Sequence, residues 1–121
     1  MGDGLEQVEI IDALARLLQY IAEYGKVEAL YGKALAIRER VLGEEHPDTA
    51  TSYNNLAGVY ASQGNNKEAL SNYLKAYRVC LLRLGKKHPN TKIVHENMKI
   101  AYLEWNPAGD FEQWLEEQMK E

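Results

Sequence analysis

Two stretches of this chain repeat each other. Leu42-Gly43-Glu44-Glu45-His46-Pro47-Asp48-Thr49 and Leu84-Gly85-Lys86-Lys87-His88-Pro89-Asn90-Thr91 stand 42 residues apart and share five identities. The same offset pairs Tyr31 with Tyr73, Lys33 with Lys75, Ala34 with Ala76, Asn55 with Asn97 and Tyr60 with Tyr102. A fixed period of this length is what stacked supersecondary units leave in a sequence, each burying its apolar face against the next. That constraint comes before any other: the chain is built by repetition along one axis.

Each unit reads as two helices. A leucine followed by Gly43 or Gly85 marks a helix end, because glycine enters the left-handed region at little cost. Pro47 and Pro89 then suit the first turn of the next helix, where the missing N–H is not needed. Asp3 with Glu6, Asn65 with Glu68 and Asp110 with Gln113 have the spacing of reciprocal N-terminal caps. In the stretch after Asn65, the residues Ala69, Leu70, Tyr73, Ala76, Tyr77, Cys80 and Leu84 recur at three- and four-residue steps, which predicts one buried stripe. These signals place six helices at about 5–23, 26–42, 47–63, 66–84, 89–104 and 110–120.

Composition bounds what such a chain can do. At 121 residues it is read as a single helical repeat domain over 1–121, with units at about 5–42, 47–84 and 89–120. The net charge of −4 argues against nucleic acid, whose phosphates select a basic face. The single Cys80 forms no internal disulfide and suits a reducing, cytoplasmic setting. No apolar run reaches membrane-spanning length, and the Met1-Gly2-Asp3-Gly4 start has neither signal-peptide regions nor the lipidation pattern, since Glu6 stands where Ser or Thr is required.

The segment Tyr53-Asn54-Asn55-Leu56-Ala57-Gly58-Val59-Tyr60, then Gln63-Gly64, Glu68-Ala69-Leu70, Tyr73 and Ala76, resembles the tetratricopeptide repeat. The 42-residue period and the Leu-Gly-x-x-His-Pro connector are similar to the subtype found in kinesin light chains. The resemblance implies an all-α solenoid of about three antiparallel hairpins winding into a right-handed superhelix. It is specific over residues 26–104. Lys99 replaces the small residue supplied by Ala15 and Ala57, and Phe111 and Gln118 replace Ala69 and Ala76, so the last hairpin is expected to be a divergent cap.

In such a solenoid the first helix of each hairpin lines the concave side. By register the candidate ligand-binding residues are Asp12, Arg16 and Gln19 from the first unit, with Glu9 beside them. Thr51, Asn54, Asn55 and Ser62 follow from the second, with Gly58, and Glu96 and Asn97 from the third, with Ile100 and Glu104. Asparagine suits the task because its amide both donates to and accepts from a peptide backbone. Four acids facing one arginine favour neutral to basic ligands. At the places where some family members clamp a carboxylate, this chain has Asp12, Arg16, Asn55, Ile93 and Asn97; only Asn55 agrees, and that reading fails.

Catalytic and cofactor signals are weak. His46 and His88 belong to the repeated connector and read as helix caps. His95-Glu96 lacks the second histidine of a helical zinc motif. With one cysteine and three scattered histidines no metal-ligand spacing appears, and no glycine-rich phosphate loop exists. No enzyme, cofactor or metal is expected. The expected function is an adaptor that binds a peptide or protein partner in its groove.

The first helix adds one feature. Beyond the packing set of Val8, Ile11, Leu14, Leu18 and Ile21, it carries Ile10, Leu17 and Tyr24 at seven-residue steps, where Ser52 and Val59 of the next unit would touch the preceding hairpin. An apolar stripe there points to a partner. The explanations it supports are a homodimer through helix one, a piece of a longer array, or an engineered surface, against the alternative that register drift turns these residues into the core. The alternative function is thus a self-associating structural module with no peptide ligand.

Overall fold

The computed structural model of the chain describes residues 2–21 and 23–120. These form six helices: α1 Leu5–Tyr20, α2 Tyr24–Leu42, α3 Pro47–Ser62, α4 Asn66–Arg83, α5 Pro89–Trp105 and α6 Phe111–Met119. The architecture is an all-α solenoid in which each helix packs on its chain neighbours. Among the described residues α3 also touches α5, while α2 and α4 do not meet. Helices α3 and α5 therefore converge where α2 and α4 splay, which makes the α3–α5 side the inside of the curve there.

The connectors work as their composition predicts. Gly43 and Gly85 both sit at φ 89°, where a side chain would be strained. His46 and His88 then cap the following helices: the Nδ1 of each accepts from the backbone N–H two residues on, from Asp48 at 3.0 Å and Asn90 at 3.1 Å. Thr49 adds a hydroxyl donated back to the Gly43 carbonyl at 2.8 Å. Gly64, at φ 78°, closes α3 while Asn65 N–H reaches the Tyr60 carbonyl and Gly64 N–H that of Ala61, the paired bonds of a glycine-terminated helix.

Two of the three predicted side-chain caps differ. Asp110 accepts from the Gln113 N–H at 3.1 Å as expected. Asn65 makes no side-chain cap to α4, and Asp3 accepts from Leu5 N–H instead, with Gly4 as the residue preceding α1. Helix α1 ends at Tyr20, earlier than periodicity suggests, with Ile21 N–H turned onto the Leu18 carbonyl. Tyr24 consequently opens α2 and packs, half-buried, beside Val27 and Tyr31. It is not part of any stripe on α1.

Small residues set the close approaches. Ala15, Ala34, Ala57, Ala69 and Ala76 are fully buried. In the last unit Lys99 stands where Ala57 does, and α6 meets α5 through large rings instead: Tyr102 lies 5.7 Å from Phe111 and 5.1 Å from Trp114, centroid to centroid. Arg78 Nη2 holds the far end by donating to the Gln118 carbonyl at 2.8 Å.

Candidate groove between α3 and α5

The inner side is organised around two asparagines. Asn97 Nδ2 donates to Asn54 Oδ1 at 3.3 Å, tying α5 to α3 at mid-helix. A cavity opens on each side of this bridge. One, of about 300 Å³, is lined by Ala50, Thr51, Asn54, Cys80, Ile93 and Val94, with Pro47 and Asn90 at its mouth. The other, of about 190 Å³, is lined by Ser62, Tyr73, Asn97, Ile100 and Glu104 with Ala61 and Ala101 behind. Ile93 and Ile100 are both more than half exposed. They sit one heptad apart with Asn97 between them, so α5 presents an apolar–amide–apolar row.

The predicted groove residues divide. Thr51 and Ser62 are exposed along α3, their hydroxyls donating back to the Pro47 and Gly58 carbonyls. Asn55 is half-buried, and its Nδ2 has no partner among the described residues. Such a donor costs free energy until something accepts from it. Gly58 leaves room beside Tyr73: a methyl in place of its hydrogen would lie 3.8 Å from the Tyr73 hydroxyl. Arg16 is exposed on α1.

Three residues are placed otherwise than register suggests. Asp12 is 5% exposed and is not open to a groove ligand. Arg38 Nη1 reaches across from α2 to donate to Asp12 Oδ2 at 3.1 Å and to Ser52 Oγ on α3 at 2.9 Å. Burial nevertheless raises the Asp12 pKa, outweighing the attraction of Arg38 and of the nearby Arg16. Gln19 is spent inside the first hairpin, accepting from the Tyr31 hydroxyl at 3.3 Å. Glu96 faces a separate cavity of about 550 Å³ with Lys92, His95 and Glu112, because one residue's step on a helix turns it away from Asn97. With Asp12 buried against Arg38 and Glu96 turned aside, the acidic excess expected of the groove shrinks to Glu9 and Glu104.

Cys80 is buried among apolar neighbours, which pushes its thiol pKa up and keeps it protonated and unreactive. Its part in the site is geometric: a short side chain that leaves the larger groove cavity unfilled. Sequence reasoning missed Arg38, and it named Ile93 only as a place where a carboxylate clamp fails, not as a groove residue. Ile93 was legible as the apolar residue four before Asn97. Arg38 was legible as a charge at the repeat place that Cys80 fills on the buried stripe.

The described residues contain no cluster of three metal-capable side chains, and no helix long and apolar enough to cross a membrane. The geometry offers amide hydrogen bonds and two small recesses of mixed polar and apolar lining along a concave face.

Comparison with known proteins agrees with this architecture. The tetratricopeptide repeat profile matches residues 7–81 and, overlapping, 53–108. The human clustered mitochondria protein homolog is 31% identical over 97 residues, 80% of this chain and 7% of that protein. Human tetratricopeptide repeat protein 19, mitochondrial, is 31% identical over 93 residues, 77% of this chain and 24% of its own length. The chain thus spans less than a quarter of either relative. The crystal structure of BtubC (BKLC) from P. vanneervenii superposes with a TM-score of 0.75 at 24% identity, covering 82% of this chain and 39% of that one; at that identity the likeness speaks for the fold. Repeats of this kind generally mediate protein–protein interaction. The chain belongs to the tetratricopeptide repeat family.

Proposed function

We propose that the chain is an adaptor module that holds an extended peptide, or an extended segment of a partner protein, across the α3–α5 groove. The observation that carries this is the row Ile93, Asn97 and Ile100, flanked by two recesses and bridged to Asn54. A peptide backbone can exchange hydrogen bonds with the Asn54 and Asn97 amides while alternate side chains enter the recesses on either side. The 300 Å³ recess, walled by Ala50, Cys80, Ile93 and Val94, suits one aliphatic side chain. Glu104 at the smaller recess favours a neutral or basic residue at that end. Binding here needs no charge clamp and works by shape and backbone pairing.

The test is an amide chemical-shift titration with a pool of capped peptides carrying aliphatic residues at alternate positions. Shifts concentrated on Thr51–Ser62 and Ile93–Glu104 are expected. Asn97→Ala should weaken the best peptide by up to about tenfold, the worth of one to two neutral hydrogen bonds. Shifts confined to α1 or α6, or an unchanged affinity in Asn97→Ala, would remove the groove reading.

A further inference from the structure

Two parts of the surface stand apart from the groove. On α1, Ile10 and Leu17 are 71% and 64% exposed, so register drift does not turn them into the core. Leu14 and Ile21, expected in the core, are exposed beside them, and nothing in the structure shows what covers that face. The other part is the cavity of about 550 Å³ on the side of α5 that Glu96 faces. Its chemistry can be read by comparison with the unit before it.

In the second unit Glu44, Glu45 and Tyr53 border a recess of about 260 Å³. The places 42 residues on are Lys86, Lys87 and His95, and these border the larger cavity. The connector has changed sign. In the earlier recess the cations that accompany the two glutamates are engaged. Lys75 lies over the Tyr53 ring, 5.6 Å from its centroid, and Arg78 donates to the Gln118 carbonyl at 2.8 Å. In the later cavity Lys92 of α5 joins Lys86 and Lys87, and among the described residues none of the three makes an ion pair. The acids present do not use up this charge. Glu112 Oε1 lies 3.6 Å from His95 Nε2, and Glu96 is exposed. Three ammonium groups against two carboxylates leave one positive charge over.

Thr91 points to the same place independently. It is 1% exposed, it lines the cavity from the first turn of α5, and its Oγ1 has no partner among the described residues. Its counterpart Thr49 donates to the Gly43 carbonyl at 2.8 Å. The same hydroxyl is thus satisfied beside the acidic connector and unsatisfied beside the basic one. A buried hydroxyl without a partner costs free energy, which an accepting ligand recovers. Tyr77 and Leu115, both buried, add apolar wall.

We infer that this cavity binds a small organic carboxylate. Its apolar body lies against Tyr77 and Leu115, its single charge sits among Lys86, Lys87 and Lys92, and one oxygen accepts from Thr91. One negative charge is what the lining leaves unbalanced, and the volume is that of a small-molecule site. The N-terminal turn of α5 favours an anion by its dipole as well. The groove holding Asn54 and Asn97 is on another side of α5, so this site does not depend on a peptide there.

The experiment titrates the full chain with 3-phenylpropionate while amide and His95 ring chemical shifts are recorded. The uncharged 3-phenylpropionamide and acetate are run in parallel. A saturable shift confined to Lys86–Glu96 and Glu112–Leu115 is expected with 3-phenylpropionate, in the low-millimolar range or tighter for a ligand of this size. Neither control should reproduce it. Lys86→Glu/Lys87→Glu, which installs the residues of the second connector at two exposed places, should weaken binding at least tenfold with helicity unchanged. Thr91→Val keeps the shape, so its thermal midpoint should match or exceed the parent's, while binding weakens about three- to tenfold. No saturable shift at tens of millimolar overturns the inference, as does an equal response to acetate or to the amide. So does either variant binding as the parent does. Shifts at Asn54 and Asn97 instead would overturn it too, and would leave the groove reading standing.

Discussion

Between the first and second hairpins, three repeat places are occupied by Asp12, Arg38 and Ser52; between the second and third, the places 42 residues on hold Asn54, Cys80 and Val94. The first set is closed. A long guanidinium crosses the junction and donates to one carboxylate oxygen and to a hydroxyl, at 3.1 and 2.9 Å, leaving Asp12 Oδ1 without a partner among the described residues. The second set is open: the thiol stops short, the valine has nothing to donate, and a recess of about 300 Å³ remains beside the Asn54 amide. One backbone arrangement thus yields a sealed seam in one place and a binding recess in the next. The difference lies in side-chain length and polarity, not in fold. A sealed seam is also not a stabilising one, since burial of Asp12 outweighs the pull of Arg38 on its pKa.

The sharpest break of this contrast is Arg38→Met. It strands a buried carboxylate and should cost about 3–5 kcal/mol at neutral pH, read from denaturation midpoints. The double change Asp12→Leu/Arg38→Met, which removes both charges, should return to within about 1 kcal/mol of the parent or exceed it. The pH dependence has a definite sign. The native Asp12 carboxyl holds its proton more tightly than the unfolded one, so its contribution is fully present below the ordinary carboxylate pKa and is lost as pH rises towards the raised native value. Midpoints of the parent relative to Asp12→Asn should fall over that acid window. A rise there would mean the ion pair dominates.

A smaller effect separates the second unit from the third. Ala57 is fully buried where α3 and α4 approach, and Ala57→Leu should overpack that contact by about 1–3 kcal/mol. Lys99, at the same repeat place, is half-buried, and Lys99→Leu should shift stability by less than about 0.5 kcal/mol. An unchanged midpoint in Ala57→Leu would show that the two helices are not in close contact there.

The smallest effect belongs to the open junction itself. Cys80→Met lengthens the side chain towards the place that Arg38 fills one unit earlier, and the recess has space to receive it. A stability change below about 1 kcal/mol is expected, together with weaker binding of any peptide that uses the recess. A loss as large as that of Ala57→Leu would mean that the recess is not available to a side chain.

Much of the fold was legible because its signals are local. The Leu-Gly-x-x-His-Pro connectors, Gly64 and the stripe from Ala69 to Cys80 each act within a turn or two of the backbone, and each did what its chemistry predicts. The site was legible only in outline. Register names the helix face on which Asp12 lies, but Arg38 reaches it from another helix 26 residues on. Kinship with Leu56 makes Leu14 look like core, yet Leu56 is buried by a neighbouring hairpin and Leu14 is not. Glu96 and Asn97 share a segment and part company by one residue's turn. What stays out of sight in the sequence is reach between helices, which periodicity does not encode.

The pairing of each helix with its chain neighbours, joined by one extra contact between α3 and α5, also fixes how the chain finds its structure. Packing between chain neighbours closes comparatively short loops, so little chain entropy is spent before that packing repays it. Topologies dominated by such contacts belong to the fast-folding class, and arrays of this kind gain and lose order unit by unit. Helix α6, nine residues held by Leu115, by the rings of Phe111 and Trp114 against Tyr102 and His95, and by Arg78, is the shortest helix of the array. Packing is most extensive between α3 and α4, so the middle of the array is where unfolding is expected to cost most.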